Sequence, residues 1–240
     1  MYKEVWNKYT KGFKFLLPFI LVKVLCEGIG FNLGFNKYDL YNIFRGNLSD
    51  FKQAVMSNLA PILFIVFVGS LFYAFLMVVI KELINEKHIN YREDFKEGIG
   101  FYLRYLVLSI IIEAVLIGIN LLGMIDMLKA IAWVLLIGIT PIVIPCDSYL
   151  IYYNTSSVEA FKKGLAVGKK YFMEIFFLGI IAGIVSGVSG VSMVRMGLKT
   201  SSIIYVCMEF IITSVEMYLC MFVMFICKKE EKSVGKIIEC

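Results

Sequence analysis

The sequence predicts an all-α polytopic integral membrane protein with six transmembrane helices and interfacial amphipathic helices ahead of several spans. Three observations carry that expectation. Sixty per cent of the 240 residues are hydrophobic and mean hydropathy is +0.80, whereas a soluble domain is about half apolar. Apolar windows of about 19 residues or more, enough for a ~30 Å hydrocarbon core, recur six times along the chain. They fall at roughly 13–33, 59–80, 103–123, 126–146, 171–194 and 202–227. Lys and Arg are divided unevenly between alternate connections, which sets an orientation.

The N-terminal tail carries Lys3, Lys8, Lys11 and Lys14, and the second connection Lys81, Lys87, Arg92 and Lys96. The fourth carries Lys162, Lys163, Lys169 and Lys170, and the C-terminal tail Lys228, Lys229, Lys232 and Lys236. These make sixteen on one side, against six on the other: Lys37, Arg45, Lys52, Lys129, Arg195 and Lys199. Both termini of a single transmembrane domain, residues 1–240, are therefore expected in the cytoplasm. Lys23 interrupts the first apolar run, and no small-residue cleavage site follows, so the first span is expected to stay in the mature protein. Lysine outnumbers arginine twenty to four, a bias that fits an AT-rich bacterial genome and a bacterial cytoplasmic membrane.

The first outer connection, Gly34 to Asn58, carries Phe35, Tyr38, Tyr41 and Phe44, residue types suited to headgroup depth. The second connection mixes signs (Lys81, Glu82, Glu86, Lys87, Arg92, Glu93, Asp94) and reads as a solvated turn region. A five-residue pattern recurs as Phe51–Val55, Phe95–Ile99 and Phe161–Leu165, each copy eight to ten residues before a span. A shared requirement for interfacial helices selects such a pattern as readily as common descent does.

The clearest of these helices begins at Ser156. Ser156-x-x-Glu159 has capping-box spacing, after which Val158, Phe161, Leu165 and Phe172 recur on one side. Lys162, Lys163, Lys169 and Lys170 fall on the other and are expected to contact anionic lipid headgroups. With no proline or turn residue intervening, the helix is expected to run on into the fifth span. The run Glu159-Ala160-Phe161-Lys162-Lys163-Gly164, then Lys169-Lys170-Tyr171-Phe172, behind a span holding Pro141 and Pro145, resembles one bacterial group. That group is the membrane-anchor domain of glycerophosphodiester phosphodiesterases and its six-span relatives, and the resemblance covers about residues 90–195. It implies a six-span membrane fold. Gly164 and Ala166 stand where serine and tryptophan are typical, and no phosphodiesterase domain is present, so that activity is not implied.

Charged and polar residues inside the spans are the candidate site. Lys23 and Glu27 are four apart on the first span and are expected to share a face. Glu113 sits mid-way along the third with Asn120 two turns on. Glu209 and Glu216 bracket the centre of the sixth, with Thr213 and Cys220 extending their stripe. An isolated carboxylate at mid-bilayer costs about 3 kcal/mol or more, so these side chains are expected to face the bundle interior or a cavity. Lys23 is the expected partner of Glu209 or Glu216, in competition with Glu27. Asp147 follows Pro145 near the end of the fourth span and reads as a hydrated interface residue. The set reads either as a proton- or cation-linked pathway or as interhelical hydrogen bonding alone.

On the fifth span Gly179, Gly183 and Gly187 recur every four residues, a spacing that favours close helix packing. The run Ser186-Gly187-Val188-Ser189-Gly190-Val191-Ser192 also fits a broken helix lining a cavity. Six cysteines without a CxxC pair, and His88 as the single histidine, offer no zinc spacing; reduced packing thiols are expected, with no metal and no cofactor. No catalytic residues are expected either, since no nucleophile elbow, phosphate loop or Cys–His pair occurs. A net charge of +5, spread over loops, does not describe a nucleic-acid surface. The sequence therefore points to a non-enzymatic membrane protein, transporter-like or accessory to a transport or envelope system. Two alternatives are the permease subunit of an ATPase-driven exporter or bacteriocin-immunity system, with an ATPase subunit as its protein partner, and a structural scaffold.

Overall fold

The computed structural model describes residues 1–28, 63–195 and 202–238, and every element among them is helical. Helix α1 covers Tyr2–Gly28. A π-turn at Ile65–Gly69 leads into α2, Ser70–Ile84. Helix α3 spans Tyr91–Leu122, followed by a 3-10 turn at Asp126–Leu128. Then come α4 (Lys129–Val143), α5 (Pro145–Tyr153), α6 (Ser157–Lys170), α7 (Phe172–Arg195) and α8 (Ile203–Ile238). The first outer connection with its aromatic residues, the Phe51–Val55 copy of the pattern, Lys199 and the side chain of Glu27 lie outside the described residues.

Five helical stretches are long and apolar enough to cross a membrane: Val66–Ile84, Tyr91–Leu122, Lys129–Tyr153, Phe172–Ser189 and Ile203–Glu231. Helix α1 is not among them within its described residues, because Lys11, Lys14 and Lys23 break up its apolar run. The Lys129–Tyr153 stretch joins α4 to α5 almost without a break. Ile144 between them keeps helical angles (φ −50, ψ −40), so Pro145 starts a helix where its missing N–H costs little.

Local chemistry explains the helix ends. Asn90 caps α3 by accepting from the Arg92 amide at 3.3 Å, with Glu93 and Asp94 complementing the helix dipole. Helix α5 stops at Asn154, which takes the left-handed conformation (φ 52). Arg104 ties that turn down, donating to Asn154 Oδ1 at 2.9 Å and to the Thr155 carbonyl at 3.1 Å. Ser156 then accepts from the Glu159 amide at 3.3 Å and starts α6.

Two sequence expectations need correction here. The amphipathic helix does not run straight into the next span: the chain bends at Tyr171 (φ −108, ψ 26) before α7 begins. Phe161 and Leu165 are half-buried against the core, but the face that α6 buries fully is a neighbouring one. It is the small-residue face Ala160, Gly164, Val167 and Gly168, while Val158 is 54% exposed. Small residues win because α6 lies directly on the α4–α5 backbone. A Cβ at Gly168 would stand 2.1 Å from the Ile142 carbonyl oxygen, and one at Gly164 2.5 Å from Cys146 Cα. Conversely, among the described residues a Cβ at Gly179, Gly183 or Gly187 would meet nothing within 4 Å. Helix α7 also passes through Ser186–Ser189 unbroken.

Aromatic pairs seam α1 to α8. Tyr2 stacks on Phe222 with ring centres 5.1 Å apart, and Tyr9 meets Tyr218 edge-on at 5.5 Å. Phe13 reaches Phe210, and the Tyr9 hydroxyl donates to the Ser214 carbonyl at 2.8 Å. At one end of the bundle a polar belt joins segments far apart in sequence. Lys8 pairs with Glu86, Lys170 with Glu230, and Lys228 donates to the Ile84 carbonyl at 2.8 Å. The Tyr152 hydroxyl donates to Glu231 at 2.7 Å. The hydrogen bond from Lys8 holds the Glu86 carboxyl below its ordinary pKa, and the one to Glu230 raises that of Lys170.

Candidate polar track inside the bundle

Lys23 lies in the second half of α1 and is 4% exposed. Its ammonium pairs with Glu216 of α8, 193 residues away, whose side chain is 39% exposed. The Tyr73 hydroxyl of α2 hydrogen-bonds Lys23 as well and lies within electrostatic reach of Glu216 and Cys220. Thr213, Glu216 and Cys220 recur at helical spacing on one face of α8. Thr213 is fully buried, and its hydroxyl has no hydrogen-bond partner among the described residues. A cation-bearing site is thus assembled from α1, α2 and α8.

A second group adjoins it. The Tyr105 hydroxyl of α3 hydrogen-bonds Asp147 on the first turn of α5 and is within electrostatic reach of Cys220 and Tyr73. Glu113, two turns beyond Tyr105 on α3, bears on Asp147 as a like charge. The Oδ1 atom of Asp147 is shut off from solvent with no hydrogen-bond partner, as is the hydroxyl of the neighbouring Ser148. Asp147, read from the sequence as a hydrated interface residue, is half-buried where α3 and α8 meet α5, with one carboxyl oxygen shut off from solvent. Tyr105 and Cys220 connect the two groups, so one polar track runs from Lys23 to Glu113 across five helices.

Magnitudes decide what this track can hold. A first-turn carboxylate gains about 0.3–1 kcal/mol from a helix dipole. At α5 that gain is reduced, because the helix continues α4 through Ile144, whose amide donates to the Thr140 carbonyl at 3.2 Å. Burying an ion without a counter-charge costs several kcal/mol. Burial therefore outweighs the dipole at Asp147. At Glu216 the ammonium of Lys23 supplies the counter-charge, and the three N–H donors of that ammonium also engage Tyr73.

The remaining candidates scatter. Asn120 donates to the Leu116 carbonyl of its own helix at 2.9 Å and does not join the track. Glu209 is half-buried, without an ion-pair or hydrogen-bond partner among the described residues. On α6 all four lysines are exposed; Lys163 pairs with Glu159 at 3.3 Å and Lys170 with Glu230, while Lys162 and Lys169 project outward. Tyr73 and Tyr105 carry no signal of this role in the sequence, where a tyrosine in a span looks like any belt residue. Among the described residues no group of three or more His, Cys, Asp and Glu side chains is placed to hold a metal ion.

Compared with known proteins, the chain matches no family model, no curated protein and no solved structure.

Proposed function

We propose that the chain is a six-span integral membrane protein of the cytoplasmic membrane, non-enzymatic and transporter-like or accessory to a transport or envelope system. The observation that carries this reading is the buried Lys23–Glu216 pair with Tyr73, Cys220 and the unpartnered Thr213 beside it. Ionisable groups at membrane depth are costly and concentrate on ion and substrate pathways. A scaffold held together by apolar packing has no need of a cation there.

The polar belt supports the orientation. Lys8, Glu86, Lys170, Lys228 and Glu230 come from four segments expected in the cytoplasm, and they gather at one end of the bundle. The likeness of residues 90–195 to phosphodiesterase membrane anchors supports six spans and transfers no activity. Lys162 and Lys169, projecting from α6, suit the anionic headgroups of the same leaflet. Reporter fusions check the orientation: a reporter after Lys236 is expected to be active only as a cytoplasmic enzyme, and one within Gly34–Asn58 only as an external one. External activity at Lys236 removes the topology.

The functional reading is tested on the natural chain through Cys220, half-buried beside the track. Membrane vesicles are treated with a permanently charged methanethiosulfonate, and the label is located by mass spectrometry. A transport pathway admits water, so Cys220 is expected to be modified in the intact membrane, faster from one side, while the fully buried Cys227 is spared. If Cys220 reacts only after unfolding in detergent, the track is dry and the scaffold reading replaces this one.

A further inference from the structure

The Asp147 carboxyl sits in a setting that the Lys23–Glu216 pair does not share. From α3, Tyr105 hydrogen-bonds it and Glu113 bears on it as a like charge. From α8, Cys220 lies within electrostatic reach, and from α5 itself Cys146 does. The Tyr73 hydroxyl of α2 approaches through Tyr105. On the other flank of α5, helix α6 brings Glu159 and Lys163, but these pair with each other and bear on Tyr149. Lys23 of α1 is engaged by Glu216. Among the described residues no basic side chain meets Asp147, and its Oδ1 accepts from no donor.

As a carboxylate, Asp147 would bury a charge with no counter-ion, next to a second carboxyl and with one oxygen unsatisfied. As a carboxylic acid it carries no charge, and it gains an O–H donor while keeping acceptor capacity for the Tyr105 hydroxyl. A metal cation is less suited, because among the described residues no group of three or more His, Cys, Asp and Glu side chains is placed to hold one. We propose that Asp147 is a proton-binding site, occupied at neutral pH, and that the ion linked to the polar track is therefore H⁺. The step is a simple one: the acid O–H breaks, the proton leaves along the track and the carboxylate remains, until a proton from water restores the acid. This deepens the transport reading and rests on it for the coupling, while the bound proton stands on the geometry of Asp147 alone.

Infrared spectroscopy of the purified chain in lipid tests the site without any transport assay. A carboxylic-acid carbonyl band that shifts in D2O is expected at neutral pH, retained in Glu216→Gln and lost in Asp147→Asn. A spectrum without that band, or a band that survives Asp147→Asn, overturns the proposal. Glu113→Gln provides a second arm should Asp147→Asn fail to fold. Without the like charge, the band is expected to bleach at a lower pH than in the natural chain, and an unchanged bleaching pH counts against the proposal. The band present with Cys220 closed to reagent keeps the proton site and removes the transport reading; Cys220 open with no band does the reverse.

Discussion

Gly168→Ala is expected to unfold the helix bundle at a markedly lower temperature than the natural chain, although it adds a single methyl group. Alanine raises intrinsic helix propensity by about 1 kcal/mol over glycine, which on its own would stabilise α6. Against this, the new Cβ would lie 2.1 Å from the Ile142 carbonyl oxygen and 2.7 Å from Ile142 C and Cα. Overpacking usually costs about 1–3 kcal/mol when side chains can rearrange. Here the obstacle is backbone in a helix that Pro141 and Pro145 already constrain, so the cost exceeds that range and the net loss is about 2 kcal/mol or more. Gly183→Ala is the matched control. Among the described residues its Cβ meets nothing within 4 Å, so propensity acts alone and stability is expected to stay level or rise slightly. Thermal unfolding of the two variants in one detergent checks both, and a Gly168→Ala protein that melts with the natural chain would contradict the packing at α6.

This contrast shows what can be read from the sequence. Four-residue spacing of glycine marks a face as small, on α7 as on α6. Whether a neighbour crosses that face depends on where other helices lie, which spacing does not encode. On α6 the spacing Gly164–Gly168 is set among four lysines and looks like a surface helix, yet it is the closest approach to the α4–α5 backbone. The capping residue Ser156 and the exposure of the lysines, by contrast, follow from local chemistry and are visible in the sequence. The same division holds in the polar track. Residue type alone marks Lys23, Glu113 and Glu216, because a charge in an apolar run is conspicuous. Tyr73 and Tyr105 carry no such mark, and Asp147 after a proline reads as an interface residue at the end of a span. They become site residues only because α2, α3 and α5 converge there.

Lys23→Met and Glu216→Leu are each expected to destabilise the bundle, and together to destabilise it far less than the sum of the two. Glu216→Leu strands an ammonium that is 4% exposed, and stripping one partner from a buried pair costs about 3–5 kcal/mol. Lys23→Met is the milder change. Glu216 keeps a side chain 39% exposed, and a carboxylate left without its cation can neutralise itself by taking up a proton. In the double variant neither charge remains, and apolar side chains of similar volume fill the gap between α1 and α8, which often comes out near neutral. With the double variant near neutral, the coupling read from such a cycle is no smaller than the loss of about 3–5 kcal/mol from Glu216→Leu alone, far from the zero of independent sites. Glu216→Gln separates charge from hydrogen bonding. The amide oxygen still accepts from Lys23, so its folded yield is expected between that of the natural chain and Glu216→Leu. If the two single losses simply add in the double variant, Lys23 and Glu216 do not hold each other in the membrane, and the centre of the proposed track is lost.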